Sequence, residues 1–291
     1  MADPGLLSPF DRVLVAGRGR LGTSLHHALI AKGMASELIP GREVAEIERR
    51  ISGTGATLLV LAVPDPAITV TAAGLADIHP TKEVSVIHLS GLLGLGALDP
   101  LADLGVDVGA LHPFQSFPRP RPPAAFAGST FGIDATSEEL LAKLDALARV
   151  LGGFPRRVRD DERVLYHLGG VLASNYLTCL AQEACLALQS AGWSRDEALQ
   201  AVIPLMFGAV ENLAATGLPG ALIGPIRRGD AAGVALHLAA IHAAGPALNR
   251  VESVYRLLGL VAVELATEAG LQPSQAQAIT DILATEQEVS R

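Results

Sequence analysis

The residues with the clearest chemical meaning are three glycines spaced G-x-G-x-x-G near the start of the chain. They lie between an apolar run at 12–16 and an amphipathic stretch that begins near residue 21. In a strand–turn–helix unit, these glycines permit a tight turn, close approach of a pyrophosphate and close helix–strand packing. The N-terminus of the helix also offers free N–H groups to an anion. The alternative is a tight turn that binds nothing. We predict a dinucleotide site formed by Gly17, Arg18, Gly19, Arg20, Leu21 and Gly22.

Other residues capable of chemistry fall where predicted strands end. Val63 and Pro64 follow one strand, Ser90 follows the next, and His112 ends a third. Because ligands of an open parallel sheet bind outside the carboxyl ends of its strands, these residues should share one crevice with the glycine loop. We therefore assign Val63, Pro64 and Ser90 to the cofactor site. Ser90 is also predicted to orient a polarised substrate group, and His112 to be a competing acid.

The end of the second predicted strand decides between NAD and NADP. An acidic residue there would hold the ribose 2′-hydroxyl of NAD, whereas an arginine would accommodate the 2′-phosphate of NADP. Arg42 occupies this position, and Glu37 lies at the start of the strand. Arg18 adds positive charge in the loop. We predict NADP, the alternative being that Arg42 is a solvated residue in the first turn of the next helix.

In the second half of the chain, the residues capable of chemistry lie in the predicted helical segment 166–176. His167 and Asn175 advance by multiples of four and therefore share a face of an α-helix. Gly169 and Gly170 inside a helix cost about 1 kcal/mol each relative to alanine, so another helix, or a nicotinamide and substrate, should approach this backbone closely. We predict that His167 is the proton donor or electrophile, because its unperturbed pKa lies near neutrality, and that Asn175 orients the substrate. A helix-packing site with a hydrogen-bonded core histidine is the alternative.

The order of elements indicates the fold class. Short β-branched runs alternate with helical periodicity, and long Ala/Leu-rich helical stretches follow. The pattern predicts an α/β protein with a doubly wound parallel Rossmann sheet followed by an all-α helical domain. We expect a dinucleotide-binding domain at 1–160 and a substrate and dimerisation domain at 161–291. Strands are predicted near 12–17, 36–39, 57–63, 83–89, 107–111, 129–134 and 154–159, and helices near 21–33, 43–52, 65–77, 137–151, 162–191, 195–215, 231–243 and 247–269.

Composition narrows the range of partners and compartments. The net charge is -8, and no basic stretch is interleaved with aromatic residues, which argues against nucleic acid. Cys179 and Cys185 have neither metal spacing nor a secreted-disulfide pattern. The start lacks signal-peptide character, the apolar runs of the first half are too short to cross a bilayer, and the long helices carry charges. We expect a cytoplasmic protein with a small-molecule substrate, no membrane partner and no metal.

Several of these blocks together resemble a known architecture. The chain is similar to the 6-phosphogluconate-dehydrogenase-like reductases, which include pyrroline-5-carboxylate reductase and ketopantoate reductase. It resembles more closely the bacterial family with a Rossmann-like N-terminal domain and a C-terminal helical domain of unknown function. The resemblance implies an NADP-binding domain, a helical domain that forms a homodimer, and a cleft between domains. The matching blocks are Gly17 to Gly22, His88 to Gly91, Leu111 to Gln115, Tyr166 to Asn175 and Gly224 to Asp230.

One departure from these reductases limits the chemistry. If Asn175 matches the asparagine of the related hydroxyacid dehydrogenases, their catalytic lysine falls on Leu172 or Val171. Lysine-assisted alcohol–ketone chemistry is therefore disfavoured, and imine reduction tolerates the loss better. The sequence predicts an NADP-dependent oxidoreductase that acts on a small carbonyl or imine compound at the cleft between domains. The alternatives are a non-catalytic NADP(H)-binding or sensing protein and a structural dimer module with an empty crevice.

Overall fold

The computed structural model describes residues 9–41, 43–51, 57–81 and 83–285. The chain forms two compact units, Met1–Ser174 and Asn175–Arg291. The first helix of the segment that the sequence assigns to a second domain therefore groups with the sheet.

The first unit is built on one sheet. Among the described residues this sheet has seven strands in the order β2-β1-β3-β4-β5-β6-β7. Strands β1 to β5 run parallel, β6 runs antiparallel to β5, and β7 runs parallel to β6. The strands are Arg12–Ala16 (β1), Ser36–Ile39 (β2), Thr57–Leu61 (β3), Val84–His88 (β4), Val108–Pro113 (β5), Thr130–Ala135 (β6) and Phe154–Arg157 (β7).

Helices cover both faces of this sheet. Along β1, Val13 and Val15 enter one apolar core, whereas Leu14 and Ala16 enter the other, because successive side chains of a strand point to opposite faces. Parallel strands covered on both sides are almost entirely apolar, as β1 and β3 are after their first residues, Arg12 and Thr57. The predicted doubly wound Rossmann fold is confirmed. The helices of this unit are Arg20–Ala31 (α1), Val44–Ile51 (α2), Asp65–Ala76 (α3), Asp99–Ala102 (α4), Glu138–Val150 (α5) and Arg163–Gly170 (α6).

The direction of β6 differs from the expected all-parallel sheet. Between β5 and β6, residues 114–129 contain one short 3-10 helix at Pro123–Phe126 and no α-helix. A parallel neighbour requires a long crossover, usually helical, that returns the chain to the opposite edge of the sheet. Here the chain turns back at the carboxyl end of β5, so β6 pairs with it antiparallel.

The second unit is helical, as predicted. Its helices are Tyr176–Ser190 (α7), Arg195–Gly220 (α8), Ala231–Ala244 (α9), Asn249–Glu268 (α10) and Pro273–Ala284 (α11). Helix α8 has non-helical backbone at Gly217 and Leu218. The sequence analysis missed α11, which begins at Pro273, where proline is tolerated because the first N–H groups of a helix have no intrahelical partner.

Helices α7 and α8 leave large apolar side chains exposed, among them Leu205 and Phe207. By length and composition, Arg163–Ser190 and Arg195–Gly220 are long and apolar enough to cross a membrane, and 11% and 6% of an apolar 18-residue window in each are buried. The first of them nevertheless carries Glu183, which pairs with Arg250 of α10 at 2.8 Å. This ion pair links α7 to α10 within the second unit.

Candidate functional site

The glycine loop has the geometry of a phosphate-binding turn. Gly17 has φ +137°, and any side chain there would overlap the carbonyl oxygen of Ala62. A side chain at Gly22 would overlap the Gly17 carbonyl in the same way. A Cβ at Gly19, in contrast, would meet no atom of the described residues within 4 Å. The backbone at Gly19 therefore faces open space, where a ligand can approach.

The N-terminus of α1 lies at this open position. Gly19 is the N-cap, and no side chain of the described residues caps the helix. The first turn contains no acidic residue. Uncapped N–H groups at the positive end of a helix dipole bind phosphate well, so the loop and helix fit a dinucleotide pyrophosphate.

Three adjoining cavities, which share Pro64, form a groove along the carboxyl ends of the strands. Their volumes are about 470, 360 and 320 Å³. The first is mostly apolar and suits an adenine ring, the second contains Arg18 and Glu43, and the third ends at Ser90 and Phe117. All predicted cofactor residues that the structure describes line this groove, namely Gly17, Arg18, Gly19, Arg20, Leu21, Gly22, Val63, Pro64 and Ser90.

The structure describes some of the residues that bear on the preference for NAD or NADP. Arg42 lies outside the described residues. The carboxylate of Glu37 forms an ion pair with Arg50. The sequence analysis missed Glu43, which lines the same cavity as Arg18. The sequence signal that could have identified Glu43 is its position directly after Arg42.

Ser90 uses its hydroxyl to build the pocket. The side chain is 6% exposed, and Oγ donates to Oδ2 of Asp65 at 2.9 Å. The same oxygen accepts the amide protons of Leu92 and Leu93 at 3.1 and 3.0 Å. Because its proton is directed to Asp65, Ser90 shapes the end of the groove more directly than it could polarise a substrate.

His88 forms hydrogen bonds with the backbone of the same turn. Its ring is fully buried; Nδ1 accepts the Ser90 amide proton at 3.2 Å, and Nε2 lies 3.1 Å from the Gly94 carbonyl oxygen. These partners require the proton on Nε2. Burial lowers the pKa of His88 to about 4, so the ring is neutral at neutral pH.

His112 and Tyr166 form a hydrogen-bonded pair beside this turn. Nδ1 of His112 lies 2.8 Å from the Tyr166 hydroxyl. A Cβ at Gly91 would lie 2.8 Å from Cε1 and Nε2 of His112, and a Cβ at Gly132 would lie 2.9 Å from the Tyr166 ring. The two glycines therefore make room for the two rings. Tyr166 had no assigned role in the sequence analysis, and only its place beside His167 pointed to it.

The phenyl ring of Phe114 completes this aromatic cluster. Its centroid lies 4.8 Å from that of Tyr166, and a Cβ at Gly170 would lie 3.0 Å from the Phe114 ring. The close approach predicted for the glycines of this helix is therefore made at Gly170 by an aromatic side chain. Gly169 has no such neighbour among the described residues.

Both members of the pair are neutral near pH 7. Burial, followed by coulombic repulsion from His167, Arg163 and His88 in their protonated forms, lowers the pKa of His112 to about 4. Burial raises the pKa of Tyr166 to about 12. If Tyr166 donates to Nδ1, the imidazole proton sits on Nε2. If Nδ1 carries the proton, Nε2 is an acceptor.

The remaining predicted residues lie apart from this pair. His167 follows Tyr166 on α6, is half-buried, and is close enough for its charge to act on His112. Asn175 is exposed and belongs to the second unit. A π-helical turn at Val171–Asn175 breaks the 3.6-residue period on which the predicted common face of His167 and Asn175 was based.

Sequence comparison divides the chain earlier than the two structural units do. Residues 12–113 match a Rossmann-like domain, and residues 129–262 match a domain of unknown function, DUF2520. The chain therefore consists of a Rossmann-like domain followed by a DUF2520 domain, which begins at the last two strands and continues into the helices. No curated protein matches the chain by sequence.

Solved structures share this fold over most of their length. A candidate NADP oxidoreductase from Bacteroides fragilis is 20% identical, with 90% of this chain and 100% of that chain covered and a TM-score of 0.63. A protein from Thermotoga maritima is 19% identical, with coverage of 89% and 98% and a TM-score of 0.66. Pyrroline carboxylate reductase from Plasmodium falciparum, solved with NADP bound, is 12% identical, with coverage of 94% and 99% and a TM-score of 0.56. At these identities the likeness establishes the fold.

Proposed function

We propose that this protein is an NADP-dependent oxidoreductase that acts on a small carbonyl or imine compound. One observation carries the proposal. The dinucleotide groove ends at Ser90, and the next residue, Gly91, lies against the ring of His112. A group that can exchange a proton is therefore adjacent to the end of the groove where a nicotinamide would lie. Support also comes from structures of the same fold described as an NADP oxidoreductase and a pyrroline carboxylate reductase.

The groove fits an extended dinucleotide. The open backbone at Gly19 and the first turn of α1 would hold the pyrophosphate, and apolar side chains such as Val44 and Val70 would contact the adenine. Ser90 and Phe117 would border the nicotinamide. When bound, the reduced nicotinamide supplies a hydride to the substrate carbon.

We propose NADP rather than NAD because Arg18 lines the cavity where the adenosine ribose would lie. Glu43 lines the same cavity and favours a free ribose hydroxyl, so the two side chains act in opposite directions. We expect Glu43→Gln to increase the preference for NADPH and Arg18→Gln to reduce it, measured as the ratio of the two dissociation constants. Equal affinities for NADH and NADPH in the wild-type protein would contradict the assignment.

His112 is the proposed proton-transfer residue. Its Nδ1 is held by Tyr166, which leaves Nε2 to donate to a carbonyl oxygen or imine nitrogen, or to accept a proton in the opposite direction. Because burial keeps the ring neutral, His112 acts as a hydrogen-bonding group before any transfer. We favour it over His167, for which the described residues provide no hydrogen-bonding partner. The roles predicted for His167 and Asn175 stay predictions.

We further propose that the protein is a cytoplasmic homodimer without nucleic-acid or membrane partners. Exposed apolar side chains on α7 and α8, such as Leu205 and Phe207, provide a surface that a second copy would cover. Analytical ultracentrifugation of Phe207→Glu tests this surface. The matched control is Phe154→Glu, which changes a similarly exposed phenylalanine in the sheet unit. A Phe207→Glu variant that self-associates like wild type would contradict the proposal.

Titration with NADPH and NADH is the first test of function, and two glycine variants make it specific. Gly19→Ala should fold like wild type, because its methyl group meets no described protein atom, but bind dinucleotide at least about tenfold more weakly. Gly17→Ala should lose binding because the turn itself is disrupted. Unchanged dinucleotide affinity in Gly19→Ala would contradict the placement of the pyrophosphate at this loop.

A panel of carbonyl and imine compounds then tests catalysis. Oxidation of NADPH by a member of the panel is the expected result. NADPH binding without turnover across the panel would favour the sensing protein instead. Binding of neither dinucleotide would exclude both and leave the structural module.

A further inference from the structure

Arg163 is a buried cation directly behind the candidate site. It is the first residue of α6 and is 1% exposed. Nη1 lies 3.4 Å from the Ser90 carbonyl oxygen, and Nε lies 3.7 Å from Oδ1 of Asp160. Nε and Nη2 have no hydrogen-bond partner among the described residues. A buried guanidinium with so few partners is energetically costly, which suggests that its charge and position serve the neighbouring site.

Asp160 contacts the other end of the same loop. Its Oδ1 accepts the Leu95 amide proton at 3.0 Å, and its carboxylate occupies the space beside Gly94. Arg163 contacts the loop at Ser90. The segment from Asp160 to Arg163 therefore holds the loop from Ser90 to Leu95 at both ends. This loop closes the dinucleotide groove and supports the His112 ring through Gly91.

The positive charge of Arg163 also acts on the neighbouring histidines. The groups that face His112 are Tyr166, His167 and Arg163 from α6 and His88 from β4. After burial, the positive charge of Arg163 is among the causes that lower the pKa of His112, and it acts on His88 in the same direction. A proton on His112 would thus be opposed by a fixed charge.

We propose that Arg163 is a positioning residue that holds the Ser90–Gly91 turn against which the His112 ring rests. After burial and His167, its charge further opposes a proton on that ring. The inference rests on the function proposed above. It concerns the unliganded protein, however, and can be tested without a substrate.

Two substitutions separate position from charge. Arg163→Met keeps an unbranched apolar stem and removes the charge, whereas Arg163→Lys keeps the charge and shortens the donor. The matched control is Arg159→Met in the same segment, because Arg159 is exposed and pairs with Glu162. The readouts are nitrogen NMR of the His112 ring across pH, the amide signals of Ser90 and Gly91, and NADPH affinity.

We expect Arg163→Met to raise the pKa of His112, shift both amide signals and weaken NADPH binding about tenfold. Arg163→Lys should shift the amide signals but leave the His112 titration low. Arg159→Met should change none of these readouts. A merely structural residue would alter stability without moving the His112 titration.

Three results would overturn the inference. One is a His112 titration in Arg163→Met that matches Arg159→Met. If Arg163→Met does not fold, Arg163→Lys decides, and unchanged amide signals with unchanged NADPH affinity refute the positioning role. A wild-type His112 that titrates near its ordinary value refutes it in any case. Failure of the wild-type protein to bind NADPH would instead refute the proposed function and leave the NMR result valid.

Discussion

Two tyrosine–histidine pairs with nearly the same geometry occur in this protein, one in each unit. The Tyr166 hydroxyl lies 2.8 Å from Nδ1 of His112, and the ring planes are at 85°. The Tyr255 hydroxyl lies 2.9 Å from Nδ1 of His237, and the ring planes are at 83°. Their surroundings differ. His112 lies against Gly91 at the end of the dinucleotide groove, whereas His237 is exposed on α9. The geometry of the pair is therefore not sufficient to identify a functional site, and the burial of the pair and its neighbouring groups are needed as well.

The difference also shows which unit contains the proposed chemistry. The groove, the Ser90 turn and the His112–Tyr166 pair all belong to residues 1–174. The described helices of the second unit contribute the second pair, and the cavity of about 500 Å³ beside α9, α10 and α11 is lined by side chains such as Leu238, His242 and Arg256 and not by a glycine loop. Matched substitutions in the two pairs can test whether this contrast has functional meaning.

The largest expected effect is on turnover. His112→Asn removes the proton-transfer group, so we expect kcat on any substrate found to fall about 100-fold or more. His237→Asn should leave kcat unchanged, because His237 lies outside the groove. Steady-state kinetics of both variants make the measurement, with His167→Asn alongside. If His167→Asn alone abolishes turnover, the proton-transfer role returns to His167.

The next effect is acid sensitivity of the folded state. His88 and His112 have folded-state pKa values of about 4, below the ordinary value of 6.5. Their unfolded forms take up protons below pH 6.5, whereas their folded forms do so only near pH 4. Stability is therefore full above pH 6.5 and falls as the pH drops toward 4, by about 2 kcal/mol for each histidine between pH 7 and 5.

Urea unfolding at pH 7 and pH 5 measures this loss. His112→Asn should reduce the loss by about half, because one of the two buried histidines is removed. His237→Asn provides the exposed control and should show the wild-type loss. A free energy of unfolding that is the same at both pH values would contradict the burial of neutral histidines.

The smallest effect comes from removing one hydroxyl. Tyr166→Phe leaves Nδ1 of His112 without its partner, so we expect stability to fall by about 1 to 3 kcal/mol and the nitrogen signals of the ring to change. Tyr255→Phe removes the corresponding bond at an exposed histidine and should cost less than about 1 kcal/mol. Equal losses in the two variants would show that the pairs are equivalent.

The sequence alone was sufficient where the information is local. The glycine loop was readable because the spacing of its three glycines between a strand and a helix is contained in six consecutive residues. The strands and most helices were readable because burial on one or both faces imposes a period on the chain. Helix α11 was missed although it is as long as α1, and the direction of β6 was missed because strand direction depends on the path of the chain.

The candidate site was decided largely by tertiary structure. Tyr166 and His112 are 54 positions apart, and Arg163 and Ser90 are 73 apart, so no local spacing predicts either contact. Sequence analysis indicated the residue types and the crevice, and from pKa reasoning alone it favoured His167. Folding made His112 the histidine that pairs with a hydroxyl, because only the packing of the sheet against α6 brings its imidazole to Tyr166.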